Sequence, residues 1–382
     1  MSSSFSTATV APTPADWRLQ IPEAKRRHLR IWLWSIAGMT LSVLIVGGIT
    51  RLTQSGLSIV DWQPLMGVIP PVNEAQWLER FELYRQYPEY QRLRQGMSLE
   101  EFKFIFFWEY VHRLLARLIG VVFLVPFVVF WLRGYFNRPL ALRSIALFAL
   151  GGAQGLLGWI MVQSGLVDQP SVSHYRLAAH LSLAFIIFGV AVWLARDLDL
   201  RAHRPAVGDA ARRLMKRGLA VVGVLLSLQI VWGAFVAGLK AGFFYNTFPL
   251  MGGRITPPEM LALQPVLRNL VANPAAVQWL HRFIGTVLIA AVMVLFIRVR
   301  RAAADPASQR LNVALLATMV TQYLLGVLTL LLVVPVSLGV IHQAAAMLLF
   351  GVWLVWVHHA NNLAPAAAVP SSPRAAVTAG TR

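Results

Sequence analysis

The chain of 382 residues contains no cysteine. Structural disulfides, thiolate metal sites, iron–sulfur clusters and cysteine nucleophiles are therefore excluded. Charged residues are also scarce, at 13% of the sequence against about 25% in an average soluble chain. Hydrophobic residues make up 57% and the mean hydropathy is +0.61, which is more apolar surface than a soluble fold could bury. The composition therefore predicts an all-α integral membrane protein, because a helix satisfies its own backbone groups inside a bilayer.

Eight apolar runs have the length that a bilayer-spanning helix needs. No small-x-small cleavage site follows the first run, so we expect an uncleaved helix there and not a signal peptide. The predicted spans are 31–50, 104–132, 141–163, 174–195, 218–238, 277–297, 311–333 and 338–357.

The basic residues are concentrated in alternate connecting segments. If the N-terminus is cytoplasmic, the cytoplasmic side holds 21 of the 34 Lys and Arg residues but only six of the 16 acidic residues. This asymmetry follows the positive-inside rule and places both termini in the cytoplasm. We therefore expect a multi-pass protein of the bacterial inner membrane. The uneven distribution of the basic residues determines the orientation among membrane lipids, and the net charge of +18 does not indicate a nucleic-acid partner.

The two halves of the chain resemble each other. Pro-Leu-Met-Gly occurs at 64–67 and 249–252, Gln-x-Leu-Leu-Gly at 154–158 and 322–326, and His-Arg at 112–113 and 281–282, with separations of 185, 168 and 169 residues. With four spans in each half, the pattern predicts two parallel-repeated four-helix bundles. The expected parts are a cytoplasmic N-terminal segment 1–30, a first bundle 31–195 with a long external loop 51–103, a cytoplasmic linker 196–217, a second bundle 218–357 and a cytoplasmic tail 358–382.

Four of the nine histidines lie inside predicted spans, at similar depths below the external face. One pair belongs to each half, His112 with His180 and His281 with His342. Two imidazoles that face each other across a bundle can bind the iron of a haem from both sides. A zinc site is a poorer alternative because it needs three or four ligands, and a lone histidine would instead indicate a polar contact between helices. We expect the other five to be solvated or interfacial: His28, His174, His203, His358 and His359.

The two halves differ beside the first histidine of each pair. Glu109 stands three residues before His112, whereas Gln278 stands three residues before His281. A carboxylate inside a span is unfavourable unless it has a function or a partner. The first half is therefore expected to carry out proton-coupled chemistry with Glu109, and the second to hold a permanent electron-transfer haem. The alternative is that Glu109 only pairs with Arg113 or Arg51.

Several arginines lie near the external ends of the spans. Arg51, Arg113 and Arg282 are candidates for binding haem propionates, because a guanidinium binds a carboxylate through two hydrogen bonds. For Arg117, the same role and an orientation toward lipid headgroups are equally open.

These motifs together resemble the haem A synthases, and more closely the mitochondrial and proteobacterial type than the Gram-positive type. The resemblance covers residues from about 30 to 360. It depends on residues 47–58 with Asp61-Trp62, the Glu109-Tyr110-Val111-His112-Arg113 box, the external-loop residues 84–93 and 101–104, and the four histidines.

The resemblance implies an eight-helix duplicated bundle that converts haem O into haem A for terminal oxidase assembly. One porphyrin methyl would be oxidised to a formyl group by two successive hydroxylations. The resemblance also implies haem B as the cofactor of the second half, at His281 and His342. Haem O would bind as substrate at His112 and His180, and Glu109 would be required for activity.

The same resemblance implies contacts with a haem O synthase, with oxidase assembly factors and with an unidentified electron donor. Some members carry cysteine pairs in external loops, and this chain has none, so packing must hold its loops. Two other functions remain open from the residues alone. A dihaem electron-transfer cytochrome would explain the histidines but not the difference between Glu109 and Gln278. A transporter would need broken helices and ionisable residues at the membrane midplane.

Overall fold

The computed structural model describes residues 9–10, 17–61, 67–167, 170–199, 204–302 and 304–365. Within these ranges, eight helices are long and apolar enough to cross a membrane, which confirms the predicted fold class. Helices α2, α3 and α8 are short and belong to external loops. The helices are α1 (Glu23–Leu52), α2 (Glu74–Arg85), α3 (Pro88–Leu93), α4 (Leu99–Leu132), α5 (Arg138–Gln163), α6 (His174–Asp197), α7 (Asp209–Gly238), α8 (Asn269–Ala272), α9 (Pro274–Arg301), α10 (Pro306–Leu331) and α11 (Val336–Asn361).

The spanning helices continue beyond the apolar runs at the end where the termini lie. Helix α1 begins at Glu23 and includes the basic run 25–30, and α7 begins at Asp209 inside the expected linker. Lysine and arginine are good helix formers, so a basic sequence does not end a helix. An acidic residue in the first turn of each helix also interacts favourably with the helix dipole.

The four spanning helices of each half form a ring, and the order of contacts is the same in the two rings. In the first half, α1 and α5 each pack against both α4 and α6, which places α4 and α6 at opposite corners. In the second half, α7 and α10 each pack against both α9 and α11. The halves meet through α1 with α11, α6 with α7, and α6 with α11. Exchanging the halves leaves this set of contacts unchanged, as a parallel duplication requires. The domain limits expected from the sequence stay a prediction.

Three short strands join segments that are distant in the sequence. Strand β2 (Arg204–Val207) pairs antiparallel with β1 (Thr9–Val10) and parallel with β3 (Ala364–Pro365). The sequence patterns predict none of these strands. The sheet nevertheless brings the N-terminal segment, the linker and the end of the last helix to one face, as the charge distribution requires.

Two histidines differ from expectation. His358 and His359, expected to be solvated or interfacial, are only 6% and 8% exposed. His358 Nε2 lies 3.0 Å from Asp197 Oδ1, and His359 Nε2 lies 3.2 Å from Asp305 Oδ1. Burial is tolerated because each imidazole has a carboxylate partner. Burial alone would raise the pKa of Asp305, but hydrogen bonds from His359 and Ser308 lower it to about 2.

The other flanking histidines agree with expectation as far as they are described. His28 is exposed and His174 is half-buried. His203, Trp62, residues 64–66 of the first Pro-Leu-Met-Gly motif and the tail beyond residue 365 lie outside the described residues.

The long loop between α1 and α4 forms a packed cap over the first bundle. Its aromatic side chains stack on the beginning of α4, with the Phe81 and Phe102 ring centroids 5.0 Å apart. Buried aromatic rings supply large apolar contact areas, so this loop is held by packing without disulfides. The buried residues of the cap are Leu57, Val60, Phe81, Tyr84, Phe102, Ile105, Phe106 and Leu166.

A buried carboxyl group connects the cap to the end of α1. Glu89 is 4% exposed and lies 3.6 Å from Arg94 Nε, and Arg94 donates a hydrogen bond to the Gln54 carbonyl at 2.9 Å. Burial raises the pKa of Glu89 from 4.5 to about 7, against the opposing effect of Arg94. Between these two pH values, the folded state therefore retains a proton on Glu89 that the unfolded chain has already released.

We expect this proton to make the stability of the cap pH-dependent. Because the folded pKa is raised from 4.5 to about 7, the wild-type protein should lose stability as the pH rises between these values. Glu89→Gln keeps the site neutral, so its melting temperature should exceed that of the wild type by more at about pH 8 than at about pH 5.

The matched control is Glu82→Gln, which neutralises a solvent-exposed carboxylate paired with Arg85 on α2. This control should follow the wild-type pH profile of thermal unfolding in detergent. A Glu89→Gln protein with the same pH profile as the wild type would contradict the assignment of the proton to Glu89.

Candidate functional site

The four predicted ligand histidines lie on helices at opposite corners of the two bundles. His112 on α4 is near enough to His180 on α6 for the charges of their rings to interact, and His281 on α9 stands in the same relation to His342 on α11. All four rings are half-buried, and each Nδ1 atom is buried without a hydrogen-bond partner. The structure therefore brings together the two pairs that the sequence predicts.

A glycine of a neighbouring helix lies against every one of these rings. A Cβ atom built on Gly47, Gly158, Gly233 or Gly326 would lie 2.7, 2.9, 3.0 or 2.9 Å from the Cε1 atom of its histidine. Side-chain carbons do not approach this closely, so only glycine leaves space for the imidazole at these positions. The facing pairs are Gly47 with His112, Gly158 with His180, Gly233 with His281, and Gly326 with His342.

A glutamine four residues before the glycine contacts three of the four rings. The amide Nε2 atoms of Gln154, Gln229 and Gln322 lie 3.3, 3.3 and 3.5 Å from the Nε2 atoms of His180, His281 and His342. At His112 the corresponding residue is Val43, which has no side-chain donor, whereas the main chain at this position faces the ring in all four cases. The repeat at 154–158 and 322–326 is visible in the sequence, but only the fold shows which histidines these residues contact.

Glu109 is enclosed and fully hydrogen-bonded. The residue is 2% exposed, and its Oε2 atom accepts hydrogen bonds from Ser58 Oγ and the Ile59 amide, both at 2.8 Å. Its Oε1 atom accepts from Arg113 Nε at 3.1 Å and from Arg113 Nη2 at 2.7 Å. The structure thus contains the pairing with Arg113 that the sequence left as an alternative. Four donors stabilise the charged carboxylate and tie α4 to the loop after α1.

Gln278 occupies the equivalent place with the opposite hydrogen-bond polarity. Its Nε2 atom donates to the carbonyls of Ala241 at 2.8 Å and Tyr245 at 3.1 Å, and its Oε1 atom accepts from Arg282 at 3.2 Å. The loop of the second half therefore presents carbonyl acceptors, whereas the loop of the first half presents an amide and a hydroxyl donor. A carboxylate satisfies the first loop and an amide satisfies the second.

The candidate arginines fall into two groups. Arg113 donates to the Ile59 carbonyl at 2.7 Å, and Arg282 donates to the carbonyls of Thr247 and Tyr245 at 2.8 Å. Both guanidinium groups therefore fix loops, and their binding of propionates stays a prediction. Arg51 is half-buried, and its guanidinium makes no hydrogen bond or ion pair within the described part of the chain. Arg117 and Arg113 line an external cavity of about 330 Å³.

A site for a bare metal ion finds no support in the residues that the structure describes. Among them, no three His, Asp or Glu side chains come close enough to bind one ion. Two histidines in each bundle match a metal that already carries an equatorial ligand such as a porphyrin, since the protein then supplies only the two axial positions.

Comparison with known proteins covers most of the chain. The COX15-CtaA family model, described as a cytochrome oxidase assembly protein, matches residues 30–354. A protein of Rhodospirillum centenum named heme A synthase is 50% identical over 336 residues, which cover 88% of this chain and 89% of that protein. Proteins with the same name from Nitrosospira multiformis and Sinorhizobium medicae are 45% and 44% identical, covering 93% and 86% of this chain and 98% and 89% of theirs.

The close packing of glycine and histidine leads to a direct test. Gly326→Ala would place a Cβ atom 2.9 Å from His342 Cε1, so the ring must move and low-spin haem absorbance of the purified protein should fall severalfold. The control is Gly155→Ala, because a Cβ atom there meets nothing within 4 Å. Equal haem absorbance in the two variants would show that the close packing does not position the ligand.

Proposed function

We infer that this chain, which belongs to the COX15-CtaA family of haem A synthases, oxidises haem O to haem A for cytochrome oxidase assembly. The family is shown by the matched model and by relatives that are similar over almost their whole length. The reaction makes the chain an oxidoreductase whose substrate is itself a haem. The eight spanning helices place this chemistry in a membrane.

The repeated histidine pair is the observation that supports two haem positions. Each pair lies at opposite corners of a four-helix ring, with a glycine behind each ring and an unpartnered, buried Nδ1 atom. This donor set fits bis-histidine ligation. We propose that the second bundle holds haem B through His281 and His342, and that the first bundle binds haem O through His112 and His180. When bound, the haem B iron supplies one-electron transfer.

The differences between the halves support this assignment. Arg51 lies four residues after Gly47, and the residue four positions after the equivalent Gly233 is Ala237. In the same way, Glu109 of the first half corresponds to Gln278 of the second. At these two positions an ionisable residue is therefore present in the first bundle and absent from the second. Arg51 is the described arginine best suited to a propionate, because its guanidinium has no protein partner in the described ranges and lies at the external end of α1.

Glu109 is proposed to hold and exchange a proton beside the substrate. Its carboxyl group accepts hydrogen bonds from Arg113, from the Ile59 amide and from the Ser58 hydroxyl, and of these partners the hydroxyl can both donate and accept a hydrogen bond. The pair of Glu109 and Ser58 is therefore the proton-exchanging unit of this site. The turn of α4 that carries Glu109 also carries His112, so the proton is held next to the substrate ligand.

The surroundings of the protein follow from charge and topology. We propose that the face bearing the three-stranded sheet is cytoplasmic and that the membrane is the bacterial inner membrane, since the basic segments meet at this face. An electron donor, a haem O synthase and oxidase assembly factors are the proposed partners, because the reaction needs an electron carrier, a supply of substrate and a recipient of product.

Histidine replacements should separate the two haems. His281→Ala and His342→Ala are expected to remove the low-spin haem B spectrum while the protein still inserts, because the apolar spans drive insertion. His112→Ala and His180→Ala should keep haem B and abolish haem A. The measurement is extraction and chromatography of the haems from purified protein. Loss of haem B in the first-bundle variants, with haem A still formed, would mean that the halves are reversed.

Replacements at Glu109 should affect product more than haem content. Glu109→Gln is expected to lower haem A formation about a hundredfold or more, as loss of a general acid–base group does. Gln278 is tolerated in the second half because the loop there presents carbonyl acceptors. The first loop presents the Ser58 hydroxyl and the Ile59 amide as donors, so the N–H groups of a glutamine at position 109 would face other donors. That conflict costs about 1–3 kcal/mol.

Ser58→Ala is the sharper variant, since it keeps the bonds of Glu109 to Arg113 and Ile59 and removes only the hydroxyl. We expect normal haem B, bound haem O and at least about tenfold less haem A. Glu109→Asp, which keeps the charge, should retain part of the activity. Near-normal product from both Ser58→Ala and Glu109→Gln would leave Glu109 with a purely structural role.

A further inference from the structure

We propose that the two histidines of the first bundle have different roles toward the substrate iron: His112 is the fixed ligand and His180 is the ligand that leaves. This inference rests on the proposed function, because it assumes that haem O binds between these residues. Gln154 is then a positioning residue that stabilises His180 in the released state.

The contacts of the four rings point to this difference. The Nδ1 edge of each ring is buried, with a glycine of the neighbouring helix at Cε1, which leaves Nε2 as the iron-binding nitrogen. A donor amide stands 3.3 Å from Nε2 of His180, and equivalent amides stand near Nε2 of His281 and His342. At His112 the same position holds Val43, which has no side-chain donor.

Release of a ligand breaks one iron–nitrogen bond and leaves the electron pair on Nε2. In a buried site that electron pair needs a hydrogen-bond donor, because an unsatisfied acceptor is strongly disfavoured. His180 finds the amide of Gln154, which is held in place by a second hydrogen bond to the His180 main-chain carbonyl at 3.1 Å. His112 would face Val43, which offers no side-chain donor. One buried hydrogen bond is enough to favour release of His180 about tenfold.

The position of His112 in α4 supports the same conclusion independently. His112 lies between Glu109 and Arg113, which both bind the loop after α1 through Ser58 and Ile59. This turn of the helix is therefore fixed on both sides of the ligand. In the second bundle both histidines have a glutamine, so this contact does not distinguish its two ligands.

The consequence is that one face of the substrate iron opens. The open position lies on the side of α5 and α6, beside Gln154, while the face toward α1 and α4 stays closed by His112. A small ligand that needs a vacant iron position should therefore bind on the Gln154 side.

Carbon monoxide is a suitable probe, because it binds ferrous haem only where an axial ligand has left. The experiment uses the full chain carrying haem O, with His281→Ala protein identifying which spectrum belongs to the first bundle. Gln154→Leu should lower the carbon monoxide affinity of that haem about tenfold, since released His180 loses its donor. Adding Val43→Gln to this variant should restore the carbon monoxide affinity, because released His112 then gains a hydrogen-bond donor.

Controls separate this effect from loss of packing. Gln322→Leu makes the same change in the second bundle and should leave carbon monoxide binding to the first haem unchanged. If Gln154→Leu does not retain haem O, Gln154→Asn, whose shorter amide cannot reach Nε2 as closely, should shift the affinity in the same direction.

Unchanged or stronger carbon monoxide binding in the Gln154 variants would overturn the assignment, as would failure of Val43→Gln to rescue. Absence of any haem O from the first bundle of the wild-type chain would instead overturn the proposed function.

Discussion

The packing of an imidazole against a glycine of the next helix is the contact on which the two bundles depend. It occurs four times, with separations at which a Cβ atom on Gly47, Gly158, Gly233 or Gly326 would require the imidazole to move. Each contact brings the helix that carries the histidine close to its neighbour and buries one ring nitrogen. A ring held in this way can present only its other nitrogen to a ligand. The spacing of the helices and the direction of the four Nε2 atoms proposed to bind iron thus have one cause.

The loops after α1 and α7 then determine how far the two bundles can differ. The first loop presents the Ile59 amide and the Ser58 hydroxyl, and the second presents the carbonyls of Ala241 and Tyr245. The identity of the residue three positions before the ligand follows from this polarity, because a buried group must match its partners. A carboxyl group beside one histidine pair and an amide beside the other are therefore properties of the loop backbones as much as of the helices.

Much of this architecture can be predicted from the sequence, because bilayer spans and the spacing of intramembrane histidines are local patterns. The eight helices and the two histidine pairs belong to this class. The burial of His358 and His359 does not, since it depends on Asp197 and Asp305 arriving from other helices. The partners of Gln154 and the polarity facing Glu109 likewise depend on tertiary contacts. Apolar periodicity contains no information about the direction of a loop carbonyl.

The differences between the halves are not spread evenly over the first bundle. Val43 and Arg51 lie on α1, and Glu109 lies on α4, where the second half has Gln229, Ala237 and Gln278. On α5 and α6, by contrast, the residues match. Gln154 and Gly158 correspond to Gln322 and Gly326 at a separation of 168 residues, and His180 corresponds to His342 at a separation of 162 residues. Helices α1 and α4 pack against each other, so the changed residues share one side of the bundle. In the proposed site, Arg51, Glu109 and the fixed ligand His112 would therefore act from one face of a bound haem, while the opposite face keeps the arrangement found in the second bundle.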